Sequence, residues 1–247
     1  MPLKNPYYAI CRPDPQGHYL RRYDESYVLD ERYSPGRSQR LHAYSLLERE
    51  LLRVFDYVEP ADKNLPTFSH ELYQLLLRAC TEVETNATLI LKLNGYASPR
   101  NNWNILDYFK VESACRLSQY SVRFDVWRGT RSTFKPFSAW ATTHTLPWYK
   151  AYNDVKHDRS SEFECASLSN VMEAITAVLV ILFAQFNTAA LSRFRPFGMT
   201  TENDGFFSIP NGMFEVQPPC SWAIEEQYEF DSKTLLATRE PFKKFAF

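Results

Sequence analysis

The residues best suited to chemistry lie together in one segment, Trp148-Tyr149-Lys150-Ala151-Tyr152-Asn153-Asp154-Val155-Lys156-His157-Asp158-Arg159. Pro147 sits where a first-turn proline belongs, so the spacing predicts a helix running to about His157. At ~100° per residue, Trp148, Ala151, Tyr152 and Val155 cluster on one side of that helix. Asn153 and His157, four residues apart, share roughly the opposite side, with Lys150 close by. An imidazole exchanges protons near neutral pH and can serve as general acid or base. Asn153 can orient the ring or bind a phosphate oxygen, while Lys150, Lys156 and Arg159 can offset charge developing on a phosphorane. Such a set suits metal-independent RNA cleavage, in which a base activates the ribose 2′-hydroxyl. The same residues equally describe a surface histidine near a helix C-terminus, favoured by the helix dipole and without a catalytic task.

A second group is defined by charge. From Arg116 to Lys135 the bases are Arg116, Arg123, Arg128, Arg131 and Lys135, and the one acid is Asp125. Phe124, Trp127 and Phe134 are interleaved. Bases can stack on such rings while Arg123, Arg128, Arg131 and Lys135 hold phosphates. The ordinary reading of the same alternation is a half-buried strand with its arginines outward. Between Met213 and Asp231 stand Glu215, Glu225, Glu226, Glu229 and Asp231 with no base. That acidic strip can neutralise the basic one within a chain or across a dimer.

Other chemistries lack their residues. Seven scattered glycines form neither GxGxxG nor a Walker-type phosphate loop. His70-Glu71 begins like a zincin helix, but Gln74 occupies the second ligand position. There is no GxSxG elbow. Glu82 and Glu84 are two apart on a helix and read as solvated or paired charges. No metal-ligand set and no cofactor motif emerges. Five cysteines without a CxxC pair suit free thiols in a reducing compartment, hence a cytoplasmic protein. The opening MPLKNPYYAICRPDP has no signal-peptide h-region. Net charge is −1, so the chain has no global field for nucleic acid or membrane, and any nucleic-acid site must be local.

The elements that must position these residues are mainly helical. Residues 38–58 carry an apolar stripe at helical spacing, and so do residues 69–93, which end at Asn94-Gly95. Asn101 or Asn102 can cap a short helix from Trp103 to Cys115. Tyr120 to Trp127 reads as extended and the stretch to Thr145 as irregular. Ser167 or Ser169 caps the most apolar helix, which reaches about Leu191. Its greasiest run, Val171 to Phe186, falls short of the ~20 residues of a membrane span. A helix apolar nearly all round must be central in a bundle or shared with another subunit. The first 37 residues suggest a weak hairpin or cap ending at Ser34-Pro35-Gly36, and the glycine- and proline-punctuated tail, 198–247, suggests short strands. The expectation is one domain, 1–247, mainly α: a helical bundle over 38–193 with small irregular or β additions at the N-terminus, in the middle and at the C-terminus.

The stretch Tyr152-Asn153-Asp154-Val155-Lys156-His157, followed by a long apolar helix, resembles the end of a HEPN domain. So does the surrounding pattern of Pro136-Phe137, Trp140, Leu146-Pro147-Trp148 and Lys156-His157-Asp158-Arg159. HEPN domains are all-helical, usually dimeric modules of bacterial toxins, phage-defence systems and CRISPR-associated ribonucleases. Their motif is Arg, a polar residue, three variable positions, then His. Asn153 matches the polar residue and His157 the histidine, but Tyr152 stands at the arginine position, so the phosphate loses its main clamp unless Lys150, Lys156 or Arg159 replaces it. The resemblance implies either a homodimeric metal-independent endoribonuclease or a catalytically inactive module that binds RNA or nucleotide, or assembles with a protein encoded beside it in an operon. It implies no membrane association.

Overall fold

The computed structural model describes residues 1–19, 26–100, 102–191, 202–208 and 212–247. In chain order the helices are α1 (Ser26–Leu29), α2 (Arg37–Phe55), α3 (His70–Leu93), α4 (Ile105–Tyr108), α5 (Val111–Cys115), α6 (Pro147–His157), α7 (Arg159–Glu162), α8 (Leu168–Leu191) and α9 (Ser232–Leu236). Strands β1 (Ser121–Arg123), β2 (Thr133–Phe134), β3 (Glu202–Asn203), β4 (Phe206–Ser208) and β5 (Glu215–Gln217) pair antiparallel in the order β2-β1-β5-β4-β3. The chain is mainly helical with a small sheet built from its middle and its tail.

Three long helices follow from apolar periodicity. In α3, Leu72, Leu75, Leu76, Ala79, Cys80, Val83, Ala87, Ile90 and Leu91 are buried. Ser69 Oγ caps its start by accepting from the Leu72 amide (3.2 Å), and Gly95, at φ +83°, takes the left-handed turn that ends it. α8 packs against α3, α2 and α6, with every residue from Val171 to Phe186 buried except Glu173. By length and composition Leu168–Asn187 could cross a membrane, but 83% of its most apolar window is buried inside the protein. The helix keeps the bounds read from sequence, and one chain covers its apolar surface from Val171 to Phe186. Of the two expectations for such a helix, central in a bundle or shared with another subunit, the first describes its place in this chain.

Several boundaries differ from expectation. α2 ends at Phe55, short of Val58. The single helix expected over 103–115 is two short ones, α4 and α5, and its cap is Asn104, whose Oδ1 accepts from the Leu106 amide (2.9 Å), with Asp107 completing a capping box. Asn102 is not the cap, and Asn101 lies outside the described residues, as do 192–193 of the expected bundle. Asn187, at φ 59°, interrupts α8 near its end. The stretch before Thr145 holds β2 and a 3₁₀ turn at Ser138–Ala141.

Of the two expectations for the N-terminus, hairpin or irregular cap, the described residues form a cap, in which the first segment pairs with the last. Leu3 bridges Tyr228 and Tyr7 bridges Lys243, both parallel. Tyr228 Oη donates to the Ile10 carbonyl (2.9 Å) and accepts from the Tyr7 amide (3.0 Å). Asn94, at the end of α3, ties both segments down: Nδ2 donates to the Tyr8 carbonyl (2.9 Å) and Oδ1 accepts from the Phe245 amide (2.8 Å). The buried Arg12 guanidinium donates to the Ala114 carbonyl (3.0 Å) and lies 4.9 Å from the Trp222 ring centre.

Candidate functional site

α6 is held by its aromatics. Trp148, 2% exposed, donates from Nε1 to the Pro136 carbonyl (2.7 Å) and meets the Phe137 ring edge-on at 6.0 Å, while Phe137 packs on Trp140 at 4.8 Å. The Pro136-Phe137, Trp140 and Trp148 pattern is therefore one packed block that fixes the start of the helix. Ala151, Tyr152 and Val155 are buried with Trp148, as the helical phase requires, and Tyr149 is buried beside them. Tyr152 is only 3% exposed. The position that would carry the motif's arginine thus faces the core.

The polar side of α6 assembles only in part. Asn153 Nδ2 donates back to the Tyr149 carbonyl (3.0 Å), so its amide group is engaged with its own helix and not with His157. Lys150 Nζ donates to Asp154 Oδ2 (2.6 Å), and that hydrogen bond raises the lysine pKa. Lys156 Nζ donates to Tyr152 Oη (3.0 Å) and sits 5.0 Å from that ring's centre. His157 is the exposed last residue of α6. Asp158 caps α7 by accepting from the Ser161 amide (3.2 Å), which turns the chain and places Arg159 6.0 Å over the Tyr73 ring. Lys156, His157 and Arg159 come together as exposed residues of one junction. Lys150 is paired elsewhere and Asn153 is half-buried.

The basic strip is not a free cationic surface. Arg123 donates from Nε to Glu215 Oε2 (2.7 Å) and lies 3.2 Å from Asp125. Arg128 pairs with Glu59 (2.6 Å), and Arg131 bonds Glu173 and Ser169 Oγ (3.0 Å). Lys135 is exposed. Arg116 pairs with Glu226 (2.5 Å), so the acidic strip meets two bases of the basic one, Arg116 and Arg123, within the chain, while Arg128 and Arg131 find acids elsewhere. Phe124, Trp127 and Phe134 are core residues, which withdraws them from base stacking. The alternation of arginine and aromatic marks the half-buried segment that contains β1.

No family model matches the chain, and no match to it is found among curated proteins or solved structures. Among the described residues no three His, Cys, Asp or Glu side chains converge to hold a metal ion.

Two features escaped the sequence reading. Glu84 on α3 is half-buried and accepts from Tyr149 Oη (2.6 Å); burial of the phenol, and then this hydrogen bond, push the Tyr149 pKa up. Its place on the apolar stripe, four residues after Cys80 and seven before Leu91, was the available signal. Asp62 holds the loop after β1: Oδ1 accepts from Trp127 Nε1 (2.7 Å), and Oδ2 from the Thr130 amide (2.7 Å) and hydroxyl (3.0 Å). These donors, Trp127 first, lower its pKa to about 2. Nothing local in the sequence links Asp62 to Trp127.

Proposed function

We propose that the chain is a HEPN-like RNA-binding module in which the cleavage motif is incomplete. The observation that carries this reading is the α6–α7 junction. Lys156, His157 and Arg159 are exposed there, among the described residues no carboxylate pairs with either Lys156 or Arg159, and Tyr152 at the arginine position is buried. Exposed cations whose charge no carboxylate offsets are the groups that can neutralise phosphates and release counterions. A buried tyrosine cannot clamp the scissile phosphate, and Asn153 is turned back on its own helix. The family reading rests on the spacing of Asn153 and His157 and on the long apolar helix that follows.

The test is a binding and cleavage assay with short single-stranded RNA. Binding without turnover, weakening as salt rises and weakening further in the double variant Lys156→Ala, Arg159→Ala, is expected. Turnover that survives EDTA and falls ~10²–10⁴-fold in His157→Ala would replace this reading with the metal-independent endoribonuclease that the motif spacing implies. Absence of RNA binding at low salt would defeat both.

A further inference from the structure

The junction continues into a cluster of rings. The Phe163 ring, just after α7, lies 4.8 Å from His70, 5.7 Å from Phe68 at an interplanar angle of 85°, and 6.1 Å from Tyr73. Phe68 is 46% exposed, high for so large an apolar side chain, and His70 is exposed too. Both stand at the start of α3. α6 and α7 run antiparallel to α3: Tyr149 meets Glu84 at one end, Arg159 lies over Tyr73, and Phe163 meets His70 at the other. The cations of the junction and the two exposed rings therefore follow the same seam.

We infer that this seam is a stacking site for single-stranded RNA, with a base on the exposed faces of Phe68 and His70 and a neighbouring phosphate on Arg159. The inference rests on the RNA-binding reading above and adds to it the place where a base is held. Aromatic faces beside a cation track suit single strands, whose bases are free to stack, and not duplexes, whose bases are already stacked. Local acids leave Arg159 available: Asp158 is committed to capping α7, and Glu162 accepts from Cys165 Sγ (3.4 Å). The exposed Glu71 and Glu164 flank the rings in sequence and confine the cationic track to a short stretch, enough for a few nucleotides. The edge-on contact of Phe163 with Phe68 braces the platform from behind, so the outer ring need not collapse onto the protein surface.

The test uses the full chain and two fluorescein-labelled strands, octauridine and an abasic ribose-phosphate strand of equal length, read by anisotropy at low salt. The wild-type protein should bind octauridine about 5- to 100-fold more tightly than the abasic strand, the range expected for loss of one stacked base. Phe68→Ala should bring octauridine affinity down to the abasic level and leave abasic binding unchanged, with only a small fall in melting temperature because the ring is half exposed. Equal affinity of wild type and Phe68→Ala for octauridine overturns the inference and leaves the RNA-binding reading standing. So does equal affinity of the wild type for the two strands. If neither strand binds, the RNA-binding reading falls and the stacking site falls with it.

Discussion

Trp148 and Tyr152 sit one turn apart on α6, and their burial sets what every other residue of the helix can do. With both rings inward, Lys150, Lys156 and His157 are carried outward, because a helix turns ~100° per residue. Trp148→Ala should cost about 3–5 kcal/mol, measured by denaturant unfolding, since it empties a fully packed site and removes the donor to the Pro136 carbonyl. Trp148→Phe, which keeps most of the ring, should cost clearly less. Equal stability of the alanine variant and the wild type would mean that the block of Pro136, Phe137, Trp140 and Trp148 does not anchor the helix. The phase of α6 was legible from its own residues. The fate of Asn153 and Lys150 was not, because a helix face says where a side chain starts and not which neighbour takes its hydrogen bond.

At the scale of elements, the loop after β1 is the segment most dependent on a single carboxylate. Asp62 lies in the connection between α2 and α3, accepts from Trp127, Thr130 and Arg131, and sits so close to Gly129 that a Cβ there would fall 2.3 Å from its Cγ. Gly129 also has φ +138°, so Gly129→Ala meets both a clash and a strained backbone and should destabilise by about 1–3 kcal/mol. Because the Asp62 pKa is lowered on folding, its contribution is complete above the unfolded value of ~3.9 and is lost as pH falls through about 2. Titrating the wild type from pH 5 to 2 by tryptophan fluorescence should reveal a loss of stability that is smaller in Asp62→Asn, in which Asp30, Asp107 and Asp231, also held below the usual carboxylate range, still titrate. An identical acid profile for the two proteins would contradict this assignment. α3 and the body of α8 were readable from apolar spacing because local periodicity decides which face is buried. The split into α4 and α5 was not, because both short helices fit the same weak local pattern.

Over the whole molecule, the first and last segments close on each other across the helical core. The Arg12 guanidinium, the Tyr228 hydroxyl and the Asn94 side chain make those junctions, and each bonds a backbone group distant in sequence. Unfolding should therefore be a single cooperative transition, with fluorescence and far-ultraviolet circular dichroism coinciding. A chain truncated before Tyr228 should lose that cooperativity, since it uncovers Arg12 and the end of α3 together. Two separated transitions in the full chain would mean that the terminal segments form a unit apart from the bundle.

What the sequence determined by itself is what short-range repetition encodes: the three long helices, the buried side of α6, the exposure of His157 at its end, and the outward arginines of the segment around β1. Only the tertiary structure decided which cations are free. Arg123 finds Glu215 across 92 residues of chain as its cross-strand partner in the β1–β5 pair, and Arg131 finds Glu173 across 42; the sequence offered the acidic strip as a counter-charge to the basic one, but the register that joins Arg123 to Glu215, and the Arg131 pairing with α8, are tertiary. The ring cluster of Phe68, His70 and Phe163 has the same origin, since the start of α3 and the end of α7 meet only because α6 and α7 fold back along α3. Charge pairing and ring stacking act over a few ångströms of space, whereas sequence spacing reports neighbours only along the chain.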